Sequence, residues 1–193
     1  MDLNEDKQRG EEHRDAELRK VRGLLSEKGV TVSAAQNLES LISRGYGMLE
    51  DRELSLSLYE ALFLQSKGIL DVFKGRVKKP LGFRELLHQS EIVDKNAWTR
   101  YLVYRDLRSR GYVVRDGFGL GIDFRIYERG EYGKATAPYL VLVLQEGKPV
   151  SVKELARVLR NVQGLKKTLA LAVVNRRGEI VYYTLSRLTM KEL

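Results

Sequence analysis

The sequence predicts an α+β fold in two parts, a small N-terminal mixed α/β domain and a C-terminal domain with a central mixed sheet. Three stretches carry this prediction. In "GIDFRIY" (Gly121–Tyr127), Ile122, Phe124 and Ile126 alternate with Asp123, Arg125 and Tyr127, the period-two pattern of a half-covered strand. "PYLVLVLQ" (Pro138–Gln145) is apolar throughout, as a strand covered on both faces should be. "SVKELARVLRNVQG" (Ser151–Gly164) opens on a capping box, Ser151-x-x-Glu154. It places Leu155, Val158, Leu159 and Val162 on one face and stops at a glycine, which makes it an amphipathic helix.

The remaining elements follow in chain order. Residues 1–14 are mixed in charge and read as a solvated tail. Asp15–Gly29 reads as a helix, with Leu18, Val21 and Leu25 on one face and Gly29 as its cap. "VTVS" is a short strand, and "AAQNLESLISRGYG" a helix stopped by Gly45 and Gly47. "ELSLSLYEALFLQSKG" begins with strand-like alternation and becomes helical from about Ser57 to Lys67, and "GFRELLHQSE" is a further small helix. In Val93–Gly111 a helix buries Trp98, Tyr101, Leu102 and Leu107 and sets Arg100, Arg105, Arg108 and Arg110 on polar faces. "YVVR" is a strand, and "TLALAVVN", the turn "NRRG" and "EIVYYTL" form a closing hairpin. The expected domains are 15–92 and 93–193.

Composition narrows the function. The 193 residues are 43% hydrophobic and 31% charged, with no cysteine. That composition describes a globular chain with no disulfide, no thiolate metal site and no cysteine nucleophile, and it fits a cytoplasmic protein. No run approaches the roughly 18 apolar residues of a membrane helix. The N-terminus lacks the apolar core of a signal peptide. The net charge of +8 is uneven: residues 95–193 hold 19 Lys/Arg against 9 Asp/Glu, while residues 1–94 hold 15 against 17. A basic half beside a near-neutral one points to a polyanionic partner. Nucleic acid is favoured over a membrane, because no segment reads as a basic amphipathic helix with an aromatic face.

Several chemistries are open to these residues. Asp123 with Glu146-Gly147-Lys148 resembles the carboxylate–lysine set of magnesium-dependent nucleases, but "QEGKP" reads better as an exposed turn. No Ser/His/Asp set is available, because the two histidines are His13 in the tail and His88, which reads as solvent-facing. Gly117, Gly119 and Gly121 lie between strands and make no dinucleotide fingerprint. A metal-free ribonuclease needs a base near the 2′-hydroxyl, an acid at the leaving 5′-oxygen and a cation on the phosphorane. Tyr127 at a strand end and Lys166-Lys167 before a buried strand are the residues suited to such work.

"YLVYRDLRSRGYVVRDGFGLGIDFRIYERG", "PYLVLV" and "LKKTLALAVVNRRGEIVYY" together resemble the C-terminal domain of archaeal tRNA-splicing endonucleases. "LSLYEALFL" resembles part of that family's N-terminal domain, so the likeness runs from about Leu38 to Tyr183. It implies a nuclease-like C-terminal domain and a subunit of an enzyme that cuts precursor tRNA at bulge–helix–bulge intron junctions. The implied products carry 2′,3′-cyclic phosphate and 5′-hydroxyl ends, with no metal and no cofactor. It also implies a homo- or hetero-oligomer with another splicing-endonuclease subunit, a heterotetramer foremost. The family's triad is tyrosine, histidine and lysine. Tyr127 matches the tyrosine and Lys167 the lysine, and Arg160 matches a helix arginine that helps to clamp a bulged base in the family; Arg157 and Lys166, clustered with it at the helix end, are further RNA-binding candidates.

Two features depart from the pattern. Where the family has its histidine, this chain has "KATAPY", so the position falls on Thr136 counting back from Tyr139, or nearer Ala137 counting forward from Tyr127. Neither side chain moves a proton near neutral pH. The resemblance therefore implies a chain weak or silent on its own, or a non-catalytic structural subunit that binds RNA. The turn Asn175–Gly178 points the other way: it is basic, where the family's non-catalytic subunits carry an acidic loop that plugs a basic pocket on a partner.

Overall fold

The computed structural model describes residues 20–33, 35–36, 38–119 and 121–187; the expected tail at 1–14 and the start of the expected helix at 15–19 lie outside them. The chain divides into two compact units between Gly111 and Tyr112, each with its own mixed five-stranded sheet.

In the first unit, strands β1 (Val21–Ser26) and β2 (Gly29–Ser33) form a tight antiparallel hairpin, Ser26 opposite Gly29. The helix expected over Asp15–Gly29 is thus corrected to a strand and a turn across its described part. Spacing alone could not decide the matter, because Val21 and Leu25 fit a helical stripe. Burial in fact alternates along Val21–Leu24, and a Cβ at Gly23 would lie within van der Waals overlap of Val30 Cγ1. The close approach of the two strands overrides local propensity.

Helix α1 (Glu39–Ser43) follows, shorter than the sequence suggests, and then β3 (Met48–Glu50), β4 (Glu53–Leu56), α2 (Leu58–Ser66) and β5 (Leu70–Phe73). The sheet order is β3-β4-β2-β1-β5, with β5 parallel to β1. The switch from strand to helix at Ser57 has a local cause. Ser57 caps α2 in a full capping box, its Oγ accepting from the Glu60 N–H while the Glu60 carboxylate accepts from the Ser57 N–H at 3.0 Å.

Helices α3 (Phe83–Val93) and α4 (Ala97–Ser109) pack on α2. Tyr101, Leu102 and Leu107 are buried as expected, whereas Trp98 is 40% exposed and lies against Tyr101 at the surface. Arg108 is also not on a polar face. Its guanidinium sits 3.9 Å from the centroid of the Tyr46 ring and donates to the Arg44 carbonyl at 3.1 Å. Burial on its own would lower the Arg108 pKa, yet Tyr104, Tyr46 and Glu60 raise it above the usual arginine value, so the cation is held charged. Tyr104, fully buried, packs edge-on to Phe63 and against Tyr59. His88 is exposed, as its sequence context suggests.

The second unit contains β6 (Val113–Gly119), β7 (Ile122–Tyr127), β8 (Tyr139–Gln145), α5 (Val152–Gly164), β9 (Thr168–Val174) and β10 (Ile180–Leu185). The sheet order is β10-β9-β8-β7-β6, with β8 and β9 parallel and the other pairs antiparallel. Ile122, Phe124 and Ile126 are buried and their neighbours half-buried, as the alternation requires. On β8, Leu140 and Val141 are buried but Leu142–Leu144 only partly, so full cover extends over the first half of that strand. Helix α5 sets Val158 and Val162 against Leu140 and Leu169. Of the expected capping box one half forms, the Ser151 Oγ accepting from the Glu154 N–H.

Arg108→Ala removes a charged hydrogen bond and a cation–π contact from a half-buried position. It is expected to cost about 2–3 kcal/mol in urea-induced unfolding. Arg105→Ala, at an exposed position on the same helix where the guanidinium lies 5.7 Å from the Tyr101 ring, should cost no more than about 1 kcal/mol. Equal losses in the two variants would show that the Arg108–Tyr46 contact does not hold α4 in place.

Candidate active site

Strand register brings the candidate residues together. Ile126 is paired with Tyr139, and Tyr139 with Thr168. One step along the same register, Tyr127, Pro138 and Lys167 form a row across three adjacent strands, all at one end of the sheet. Paired residues share a face, so this row lies on the face of Leu140 and Leu169, the face that α5 covers. Two strand spacings separate Tyr127 from Lys167, roughly 10 Å between backbones.

The loop between β7 and β8 closes the space from the side. It is a succession of tight turns in which the Lys134 and Ala135 N–H groups donate to the Glu131 carbonyl at 3.0 Å, with Gly130 and Gly133 at positive φ. Ala137 pegs the loop down at 4% exposure, while Thr136 stands exposed beside it. The Lys167 ammonium donates to Thr136 Oγ1 at 2.5 Å. Of the two positions that the sequence left open opposite Tyr127, Thr136 is the one that faces the lysine. A larger side chain at Ala137 would have to enter the core.

Lys167 is delivered by the turn that ends α5. The Lys166 N–H donates to the Gln163 carbonyl at 2.9 Å and the Lys167 N–H to the Val162 carbonyl at 3.2 Å, the two bonds of a Schellman motif. Lys166 occupies its left-handed position at φ 56°, where glycine is usual. The Thr168 N–H then donates to the Pro138 carbonyl at 3.0 Å and starts β9.

Arg157 and Arg160 are exposed on the solvent side of α5, with Arg157 3.8 Å from Glu154. Together with exposed Lys166 they line one stripe that runs to the helix C-terminus, where cations also suit the helix dipole. The turn Asn175–Gly178 is firmly built. Asn175 Oδ1 accepts from the Arg177 and Glu179 N–H groups at 2.9 and 3.0 Å, leaving the Arg176 and Arg177 side chains exposed.

Two residues at the site escaped sequence reasoning. Tyr132, from the loop, meets Tyr127 edge-on with ring centroids 5.2 Å apart, and Arg115 on β6 lies 6.0 Å from the Tyr132 ring. Arg115 is also directly opposite Arg125, on the Tyr127 face. The pairing of "VVR" with "FRIY" would have exposed the arginine pair, but only with the β6–β7 register known. Of the carboxylates that a metal site would recruit, Asp123 accepts from the Val143 N–H at 2.7 Å, and Glu146 is exposed in the turn after β8. Among the described residues no group of three or more His, Cys, Asp or Glu is arranged to hold a metal ion.

Residues 97–182 match the family model for the catalytic C-terminal domain of tRNA intron endonuclease, and residues 21–87 match that for its N-terminal domain. A tRNA-splicing endonuclease of Methanococcus vannielii is 36% identical over 166 residues, spanning 86% of this chain and 93% of the relative. One from Pyrococcus furiosus is 37% identical over 142 residues, 74% of this chain and 81% of the relative. One from Methanosarcina mazei is 37% identical over 168 residues, which span 85% of this chain but 46% of the relative. The chain belongs to the tRNA-splicing endonuclease family.

Lys166→Gly tests the turn that carries Lys167. A side chain in the left-handed region costs about 1–2 kcal/mol, and glycine's extra unfolded-state freedom returns about 0.5–1 of that. A net gain of about 0.5–1 kcal/mol in thermal or urea unfolding is expected. Lys166→Ala should give no such gain. If alanine stabilises as much as glycine, the left-handed turn is not the source of strain.

Proposed function

We propose that this chain is a subunit of a tRNA-splicing endonuclease that binds precursor tRNA through the basic face of its second unit. Its own pocket keeps two of three catalytic groups. The scissile RNA carries its own nucleophile, the 2′-hydroxyl. In this reading Tyr127 takes that hydroxyl's proton as its oxygen attacks the adjacent phosphorus. Lys167 stabilises the negative charge that gathers on the phosphorane oxygens. The P–O5′ bond then breaks to give a 2′,3′-cyclic phosphate and a 5′-oxygen that has to take up a proton. No metal enters this sequence.

The observation that carries the reading is the hydrogen bond from Lys167 Nζ to Thr136 Oγ1. On this reading Thr136 stands where an acid would serve the leaving oxygen, and its hydrogen bond with Lys167 supports that placing. On the same reading the pocket is short of a proton donor. Arg160, Arg157 and Lys166 supply phosphate contacts on this account.

Assembly supports the same picture. Strand β10 is the edge of its sheet, and Val181 and Tyr183 on it are 50% and 55% exposed. An edge of that kind is normally covered, and an equivalent strand of another subunit would cover it. The Methanosarcina mazei relative is about twice as long as the region it shares with this chain, with room for a second such unit. In the complex, turnover then falls to a partner subunit with a full triad. A second reading, a non-catalytic structural or RNA-binding subunit with Tyr127 and Lys167 as relics, draws on the same threonine. The exposed Arg176 and Arg177 favour a chain that receives a partner's acidic loop.

Losing a general acid typically costs 10²–10⁴-fold in rate. Thr136→His is therefore expected to raise single-turnover cleavage of precursor tRNA in EDTA by a factor in that range, and Tyr127→Phe or Lys167→Ala should then abolish it. Ala137→His should instead lose stability by about 1–3 kcal/mol through overpacking and recover no activity. No gain from Thr136→His in a folded, RNA-binding protein would refute the assignment of this pocket.

A further inference from the structure

The near-neutral balance of residues 1–94 conceals a local concentration of positive charge in the first unit. Strand β5 runs out into Lys74, Arg76, Lys78 and Lys79, and on its parallel neighbour β1 Arg22 pairs with Asp71 and Leu24 with Phe73, which puts Arg22 on the same face as Phe73. Asp71, the acid opposite Arg22 in that register, is taken by Lys20 at 3.0 Å, and Lys74 donates to Gln89 at 2.9 Å. Between the strand ends and the following loop lies a groove of about 520 Å³, lined chiefly by Arg22, Leu24, Phe73, Arg76, Val77 and Lys78.

The groove is a built feature. The Arg22 backbone is held in both directions by the Gln36 side chain, at 2.7 and 2.8 Å. The loop end is tied by the Leu81 N–H to the Val72 carbonyl at 2.7 Å and by Gln65 Nε2 to the Leu81 carbonyl at 2.6 Å. The Arg22 guanidinium stands 5.5 Å from the centre of the Phe73 ring, while Leu24 and Val77 are 56% and 61% exposed.

An apolar floor, an aromatic ring beside an arginine plane and a cationic rim together suit single-stranded nucleic acid. A base stacks on the ring or the guanidinium, and the backbone phosphates meet the rim. An acidic peptide would use the cations but gain little from the flat Phe73–Arg22 surface. A lipid surface would call for a protruding amphipathic element, whereas this one is concave. We propose that the groove binds a single-stranded segment of the RNA substrate, with phosphates on Arg76 and Lys78 and a base against Phe73 and Arg22. The proposal rests on the reading of the chain as a precursor-tRNA-binding subunit and adds a second contact region to it.

The test is fluorescence anisotropy of the full chain with labelled precursor tRNA over a salt series. It compares the unmodified protein with Arg76→Glu/Lys78→Glu, Phe73→Leu and Arg160→Glu/Lys166→Glu. The Arg76/Lys78 variant should bind at least tenfold more weakly, and its log–log salt slope should shrink by roughly 0.7 per lost phosphate contact. Phe73→Leu should weaken binding severalfold with the slope unchanged. Precursor tRNA carrying 4-thiouridine should crosslink to the peptide that contains Phe73. If affinity and slope are unchanged in Arg76→Glu/Lys78→Glu while Arg160→Glu/Lys166→Glu weakens binding, the groove proposal fails and the functional reading stands. If the unmodified chain does not bind precursor tRNA, both fail. A change in sedimentation with RNA affinity intact would make the groove a protein interface and overturn the proposal.

Discussion

Strands β8 and β9 are parallel, so the chain must travel from the end of β8 back to its start before it can pair again, a crossover that normally takes a dozen or more residues. Here the crossover is helix α5 and its Schellman turn, and its length decides which residue arrives at the row that begins β8. Lys167 arrives, one position before Thr168 pairs with Tyr139. The antiparallel pairing of β7 with β8 puts Tyr127 in the same row, and the loop it leads into returns with Thr136 within hydrogen-bonding distance of the lysine. Residues 40 positions apart thus become neighbours because three strands share one register. A slip of one residue at either pairing would turn one of the two side chains to the opposite face. The left-handed backbone at Lys166 belongs to this constraint, since the turn has to reverse the chain within a few residues.

The first unit depends on a different device. Its helices meet around aromatic rings, and the Arg108 guanidinium is seated on one of them while hydrogen-bonded to a backbone carbonyl. Glu60, whose carboxylate caps α2 and also accepts from the Gly47 N–H at 3.1 Å, helps to keep that cation charged. Capping, turn geometry and helix packing are therefore coupled through one acidic residue.

The second unit was largely legible in the sequence. Alternation in "GIDFRIY", the amphipathic stripe of α5 and the glycine-containing turn before β10 are local signals, and each element formed where it was expected. The first unit was less legible, because Val21 and Leu25 satisfy a helical stripe and only the contact of Gly23 with Val30 settles the segment as strand. Arg108 and Trp98 were misplaced for a related reason: helical periodicity gives a face but not what stands opposite it. At the site, a motif could point to Tyr127 and Lys167 but not choose between Thr136 and Ala137, since that choice depends on which one the loop buries. Tyr132 and Arg115 were invisible without the register. The groove beside Phe73 was hidden by averaging charge over half the chain.

On the proposed reading, the site at Tyr127, Thr136 and Lys167 lacks a proton donor for the leaving oxygen. Sulfur in place of the bridging 5′-oxygen at the scissile phosphate tests this directly, because a thiolate leaves without being protonated. Single-turnover cleavage of that substrate by the unmodified chain is the measurement, corrected for the uncatalysed rates and set against the oxygen substrate. A preference for sulfur is expected, on the order of the 10²–10⁴-fold that a missing acid costs, abolished by Lys167→Ala and nearly absent in Thr136→His. Equal rates on the two substrates, or rapid cleavage of the oxygen substrate by the unmodified chain, would contradict it.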